Sequence, residues 1–470
     1  MVGPHNTLVA GIRALGLALV IGTAHLPSTV GAQQSEQRVS PQEARVLANR
    51  LTSIGQPSAA REIALGLLRA DATDVTALVA LARAEMALGQ IDAAERAAQD
   101  ALSQARTPSE KFMASLVVAD VFAQSERFLR SQFWLRRAIQ IAPNPQSEQV
   151  AINAFRRVRQ ENALAVEISF GIMPSSNVNS GNSNEAISFA YLPGYLSEIQ
   201  WLVPADETPL SGVEFSLRTD LRYRIAETAT ARTSLEFGIY GRTYVMSNSA
   251  RATAPEITGE SLSYVQTSVG ILHQWRPLWS EAPLSASLTY SHDWAGGTPY
   301  RYELDGTLGT QFTLTNDDTL AVSGSVRRSH RLTSGVDILS YSLRGRWART
   351  LANEDIVGVT AQVAQATSDV TDLAYRDAML GVSYDFGEVG FGVDLSTSYT
   401  EHFRVYETSA FDPAGRDDRI SAVRVDMGLQ NVDFYGFQPV FAVKARRTIS
   451  SVAHFDTQGA QLGLNLRSSF

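Results

Sequence analysis

Residues 213–225 read VEFSLRTDLRYRI. Extended side chains alternate between faces, so this stretch sets Val213, Phe215, Leu217, Thr219, Leu221, Tyr223 and Ile225 against Glu214, Ser216, Arg218, Asp220, Arg222 and Arg224. A globular sheet can use such a strand once or twice, but here the pattern recurs. Leu235, Phe237 and Ile239 alternate with Glu236, Gly238 and Tyr240. Tyr341, Leu343 and Trp347 alternate with Ser342, Arg344, Arg346 and Ala348, and Leu380, Val382, Tyr384 and Phe386 with Gly381, Ser383 and Asp385. Val389, Phe391, Val393 and Leu395 alternate with Gly390, Gly392, Asp394 and Ser396. Fourteen strands are expected, at 164–173, 213–226, 230–245, 261–276, 284–295, 299–314, 318–332, 338–351, 354–368, 373–386, 388–405, 419–431, 435–449 and 455–470. Most exceed ten residues, the reach that a tilted strand needs to cross a bilayer, and an even count suits a bacterial barrel. Sixteen strands is the neighbouring alternative.

Loop lengths support the same architecture. Even-numbered strands are followed by tight polar turns such as Glu227-Thr228-Ala229, Thr315-Asn316-Asp317-Asp318 and Gly387, while odd-numbered ones more often precede longer segments, at 174–212, 246–260 and 406–418. Outer-membrane barrels have short periplasmic turns and longer outside loops, which puts both barrel ends in the periplasm. The apolar faces then meet outer-membrane lipid, and Glu214, Arg218, Asp220, Arg222, Arg224, Glu236, Arg344 and Arg346 line a lumen where charge keeps its water. In the last strand Leu462, Leu464, Leu466 and the terminal Phe470 share a face. That face is similar to the C-terminal signal read by the barrel assembly machinery, which is an expected partner during insertion. A two-layer sandwich is the rival fold, but it would bury its apolar faces and leave strand edges to protect.

From Ser40 to about Leu164 the texture is helical. Leu47-Ala48, Gly55, Ala60 and Leu67 are repeated 34 residues later as Leu81-Ala82, Gly89, Ala94 and Ala101, and a third copy, Val118-Ala119, Ser131, Ala138 and Pro143, follows at 37. That period, with small residues where paired helices cross, resembles the tetratricopeptide repeat. Ser40-Pro41-Gln42-Glu43 and Thr107-Pro108-Ser109-Glu110 are both capping boxes with proline at the first helical position. Helix pairs should begin near 41, 73 and 109, with a closing helix at about 146–163. The array either supports the barrel or offers a concave surface to a protein partner.

Ahead of it, Arg13 precedes the apolar run Ala14–Ala24, then Pro27 and the small-x-small site Val30-Gly31-Ala32. Residues 1–32 read as a cleaved export signal. The expected division is therefore a signal at 1–32, a periplasmic helical domain at 33–163 and an outer-membrane β-barrel at 164–470. With 48 acids against 40 bases the net charge of −8 does not suggest a nucleic-acid partner, and the absence of cysteine excludes disulfides and thiolate-bound metals. The seven histidines, at 5, 25, 273, 292, 330, 402 and 454, show no metal-ligand spacing. Ser291-His292-Asp293 cannot form a direct relay, because strand neighbours face opposite sides. No cofactor and no enzymatic activity are expected.

An export signal, a few such repeats and a C-terminal barrel of about fourteen strands resemble the surface lipoprotein assembly modulators. At the end of the first strand, Met173-Pro174-Ser175-Ser176-Asn177-Val178-Asn179 is similar to that family's Pro-Asp-Ser-Asn-hydrophobic-Asn stretch, with Ser175 where Asp is usual. Pro174, Ser176, Asn177 and Asn179 are the matching positions. Near the end, Gly436-Phe437-Gln438-Pro439, the run Arg446 to Ser451 and the strand closing on Phe470 resemble its last two strands, with Ser451 where Asn is common. The resemblance implies a translocator that helps a client surface lipoprotein, or a soluble secreted ligand-binding protein, cross or be displayed on the outer membrane. An exporter of surface polysaccharide, which also joins such repeats to a barrel, and a passive porin are the alternatives. The inward positions are mainly Arg, Asp, Glu, Ser and Gly rather than the stacking aromatics a sugar polymer would use.

One segment stands apart. Residues 174–212 carry Ile187-Ser188-Phe189-Ala190-Tyr191-Leu192 and Trp201-Leu202-Val203, too apolar for a solvated loop. The segment is expected either to form an extra hairpin or cover the barrel rim as an external loop, or to fold into the lumen as a plug or client contact, with the amides of Asn177 and Asn179 bonding inward groups such as Arg218 or Arg222.

Overall fold

A computed structural model describes residues 39–189, 191–390, 392–429, 432 and 437–469. The signal at 1–32, Gly436 and Phe470 therefore lie outside the described residues. Seven helices come first: α1 (Pro41–Ser53), α2 (Pro57–Ala70), α3 (Val75–Ala87), α4 (Ile91–Gln104), α5 (Pro108–Gln124), α6 (Phe128–Gln140) and α7 (Pro145–Glu161). Both expected capping boxes form, with Ser40 and Thr107 accepting from the backbone N–H of Glu43 and Glu110 while the two glutamates reach back to the cap N–H. Those contacts hold the Glu110 carboxyl below its usual range.

Helix crossings are made of alanine. Ala60, Ala64, Ala77, Ala80, Ala82, Ala94, Ala101, Ala114 and Ala138 are fully buried, so small side chains at the repeat positions let the backbones approach. Gly55 and Gly89 take left-handed backbone (φ +79° and +76°) in the first two turns, where a Cβ is unfavourable. The third repeat puts Glu126 at the same place with φ 58°, 37 residues after Gly89 as the repeat spacing requires.

The barrel strands are β1 (Leu164–Ser175), then, after a short pair β2 (Ala186–Ile187) and β3 (Trp201–Leu202), β4 (Gly212–Glu227), β5 (Ala231–Met246), β6 (Tyr264–Trp275), β7 (Leu284–Ala295), β8 (Thr298–Thr313) and β9 (Asp318–Arg331). The circuit continues with β10 (Val336–Thr350), β11 (Ile356–Ser368), β12 (Tyr375–Glu388), β13 (Val393–Tyr406), β14 (Arg416–Leu429), β15 (Gln438–Ser450) and β16 (Thr457–Ser469). Leaving out the short pair, these fourteen strands pair antiparallel, each with its chain neighbour, and β1 meets β16 to close the barrel. The fold is an α-solenoid followed by a closed antiparallel β-barrel of fourteen strands. Strand boundaries differ from expectation by a few residues, most at the strand placed at 388–405, which begins at Val393, because Gly390 and Gly392 (φ 100° and 71°) form a turn there, while β12 runs on to Glu388.

Alternation holds around the wall. Phe215, Leu217, Tyr223 and Ile225 are exposed on the outside, as are Phe170, Phe237, Ile239, Leu343, Val382 and Phe441. No described helix is long and apolar enough to cross a membrane. Closure at the seam pairs Ile168 with Ser468, Phe170 with Leu466 and Ile172 with Leu464, and pairing then skips Met173 and Pro174 before resuming at Ser175 and Gln461. Pro174 has no N–H to donate.

At this break the two strands touch through backbone. A Cβ on Gly463 would stand 2.3 Å from Ile172 O and 2.7 Å from Met173 Cα. Gly463→Val should therefore force the seam apart, at a cost of about 3 kcal/mol or more, and lower the yield of heat-modifiable folded barrel. Gly345→Val is the control, since nothing lies within 4 Å of its Cβ; equal yields for the two variants would refute the role of the seam contact.

Candidate functional site

The segment after β1 makes a roof. Asn177 Nδ2 donates to Gly181 O (3.0 Å) and to Gln458 O of β16 (2.8 Å), and its Oδ1 accepts from Gly181 N (2.7 Å). Asn179 Nδ2 donates to Asp206 O (2.9 Å) and Thr208 O (2.7 Å), while its Oδ1 accepts from Leu210 N (2.9 Å). The two amides thus tie the outgoing and returning chains to each other and to the last strand. They do not reach Arg218 or Arg222, contrary to the plug geometry expected from sequence: an amide side chain satisfies backbone groups a few residues away more readily than a distant guanidinium that already has an acid beside it. Ser176 is equally local, its Oγ accepting from Ala460 N (3.0 Å).

Beyond that turn β2 and β3 form the extra hairpin, pairing Ala186 with Leu202 and Ile187 with Trp201. Its aromatics lie on neighbouring loops at the same end of the barrel. Phe189 stacks on Phe411 at 5.8 Å, and Phe411 packs against His454 (4.1 Å) and Phe455 (5.6 Å). Asn182 Nδ2 donates to Ala453 O and His454 O. The other side of the roof rests on Val178 and Leu210, which cluster with Tyr244, Met246, Ala250 and Ala254. The segment is therefore both a hairpin over the rim and, at its first turn, part of the lumen lining.

Beneath it is a chamber of about 600 Å³, lined by Asn177 and Ser180 of the roof with Arg242, Arg424, Lys444 and Arg446 of the wall. These cations occupy inward positions that sequence reasoning passed over, although Arg424, Lys444 and Arg446 alternate with Val423, Val425, Val443 and Ala445 in the same way as the opening stretch. Arg424 pairs with Asp426. Arg242, Lys444 and Arg446 make no ion pair with a carboxylate among the described residues, and Lys444 Nζ lies 3.5 Å from Met173 Sδ.

All eight polar residues expected in the lumen are there by register, since Arg218, Asp220, Arg222 and Glu236 line a second cavity of about 430 Å³ and the others share their face. Their charges are largely matched. Arg218 pairs with Asp220 (2.8 Å), Arg222 with Glu236 (2.7 Å) and Arg224 with Glu227 (2.8 Å), and elsewhere Arg301 pairs with Asp293 (2.7 Å), Arg327 with Asp305 (2.9 Å) and Arg404 with Asp377 (3.1 Å). Arg344 and Arg346, like Arg242, Lys444 and Arg446 of the chamber, make no ion pair with a carboxylate among the described residues. Most lumen acids are held in such pairs, with Glu214 and Asp385 outside any ion pair among the described residues, and against these two stand the unpaired Arg242, Arg344, Arg346, Lys444 and Arg446, so the free charge of the passage is positive.

Stacking aromatics do occur inside: Tyr240 and Tyr264 face inward beside Arg218 and Arg242, and Tyr375 and Tyr406 beside Arg404 and Arg416. The lumen is therefore not poor in aromatics as expected: Tyr240 shares the polar face of β5 with Glu236, and Tyr264, Tyr375 and Tyr406 are the terminal residues of their strands, where alternation is hard to read. Ser291 and Asp293 face inward, whereas His292 faces outward and stacks on Trp294 at 4.2 Å, so the Ser-His-Asp string forms no relay. Leu462, Leu464 and Leu466 share the outward face of β16.

The helical domain is joined to the barrel's base. Arg224 Nη2 donates to Gln160 O (3.0 Å) and Glu161 O (3.1 Å), and Arg136 Nη1 to Ser468 Oγ (3.2 Å).

No family model and no curated protein matches this chain. Among solved structures, the type III secretion translocator chaperone SycD of Yersinia enterocolitica is similar over 26% of this chain and 92% of its own, at 16% identity and a TM-score of 0.23. A bacterial polysaccharide outer membrane secretin is similar over 65% of this chain and 98% of its own, at 7% identity and a TM-score of 0.36. OpdK of Pseudomonas aeruginosa, solved with vanillate, is similar over 65% and 99%, at 10% identity and a TM-score of 0.33.

Proposed function

We propose that this protein is an outer-membrane translocator that assists the surface display or secretion of a specific client protein, a lipoprotein or a soluble ligand-binding protein. The observation that carries the reading is the attachment of a helical repeat array to the base of a roofed barrel, through Arg224 and Arg136. A pore that only passes small solutes has no use for such an array, whereas repeat solenoids present extended surfaces to protein segments. The array faces the periplasm in this reading and receives the client, and the barrel acts on it at the membrane.

The inward tyrosines and unpaired cations favour one second reading, export of an acidic surface polysaccharide, in which rings stack on sugars and arginines meet carboxylates. A gene deletion separates the two. Surface proteins shaved by protease from intact cells should lose one or a few members in the deletion strain, regain them with the full chain and not with a chain lacking residues 40–161. Loss of surface polysaccharide with an unchanged shaved proteome would overturn the protein-client reading. Orientation has its own check: a cysteine at exposed Ala414 in the 407–415 loop should react with an impermeant maleimide on intact cells, and one at exposed Gln99 on α4 should not. Equal reaction at both positions would refute the periplasmic placement of the helices.

A further inference from the structure

At the join between the helical domain and the barrel is an apolar hollow of about 530 Å³, lined by Phe122 of α5, by Leu129, Arg130, Phe133 and Trp134 of α6, and by Val166 of β1. Val166 lies on the outward face of β1, in line with Ile168, Phe170 and Ile172, and Phe170 and Ile172 are exposed on the lipid-facing wall. The hydrogen bond from Arg136 to Ser468 (3.2 Å) holds α6 against that same wall, because Ser468 is paired with Ile168. The hollow is therefore continuous with the surface that acyl chains already cover.

Its rim is cationic. The Arg127 and Arg130 guanidinium carbons stand 4.6 Å and 5.8 Å from the Phe122 ring centre. Arg127 is paired with Glu95, whereas Arg130 has no carboxylate partner among the described residues. Trp with Arg above an apolar floor is the chemistry of a membrane interface, where the ring sits at headgroup level and the cation meets a phosphate.

We propose that this hollow is a phospholipid site: one lipid of the leaflet at the barrel's α7–β1 end seats an acyl chain between Leu129, Phe133 and Val166 and sets its phosphate on Arg130, so that α6 rests on the bilayer. The inference rests on the barrel spanning a membrane and not on what the barrel transports. A protein segment filling the hollow is the competing occupant.

The chain has no native cysteine, so a single spin label can be placed at Leu129→Cys, with Phe133→Cys as a second position in case the first disturbs the helix. The full chain is reconstituted in nanodiscs of phosphatidylethanolamine and phosphatidylglycerol with no other protein present. Collision with oxygen should then exceed collision with a water-soluble nickel chelate at 129 and 133, as at the lipid-facing control Ile172→Cys and in contrast to Val150→Cys, which is 57% exposed on α7. Adding Arg130→Glu should raise nickel collisions at 129 and leave Ile172→Cys unchanged. A water-like profile at 129 and 133, matching Val150→Cys, would overturn the proposal. So would protection from both probes, which would mean that the hollow is closed by protein.

Discussion

Removing residues 180–208 should convert a quiet barrel into a leaky one. The excision is mild for the wall, because its ends already meet: Val178 N donates to Leu210 O at 2.8 Å, so a short glycine bridge can join Asn179 to Pro209. Val178 and Leu210 stay packed on Tyr244 and Met246, and every wall ladder stays intact. What goes is the turn bearing Ser180, which helps close the chamber, together with the hairpin stacked through Phe189 on Phe411. In planar bilayers the excised chain should conduct several-fold better than the parent, and cells carrying it should admit antibiotics that the parent excludes. If the roof also guides a client, display of that client is lost as well. Unchanged conductance in a chain that folds and inserts normally would show that 180–208 does not govern the passage.

How much of this was legible in the sequence depends on how each signal arises. Strand alternation is a local property of period two, so Val213 to Ile225 declares its two faces unaided, and the same holds for most of the wall. Helix starts at Ser40 and Thr107 are equally local, because the cap and its glutamate lie three residues apart. Asn177 and Asn179 were legible as special but not in their partners, since those belong to Gln458, nearly three hundred residues away, and to the returning chain at 206–210. The chamber was hidden for a related reason. Arg242, Arg424 and Lys444 are far apart along the chain, and only closure between β1 and β16 brings them around one space. Where no acid lies two residues along the same strand, as Asp220 does for Arg218, whether a lumen arginine is neutralised is a cross-strand fact: Arg222 finds Glu236 on the next strand, while Arg446 faces Ala422 and Gly459.

That surplus of free cations yields the second large effect. In the roofless chain, where current can be measured, the pore should prefer anions, and changing Lys444 and Arg446 to glutamate should reverse that preference. A unit charge acts on an ion about 10 Å away in water by roughly 0.4 kcal/mol, and the double change moves the chamber by four charge units. The relative partition of cation over anion should therefore shift by about tenfold or more. Screening acts over about 10 Å at 0.1 M salt, so the reversal potential in a salt gradient should change sign clearly at low ionic strength and less so as salt rises. Arg447→Glu is the decisive control, because it is adjacent on β15 but faces Ser421 and Gln458 on the outside of the wall. A parent pore with no anion preference, or an Arg447 variant that shifts the potential as far as the inward pair, would mean that the unpaired cations of the chamber do not set what the barrel admits.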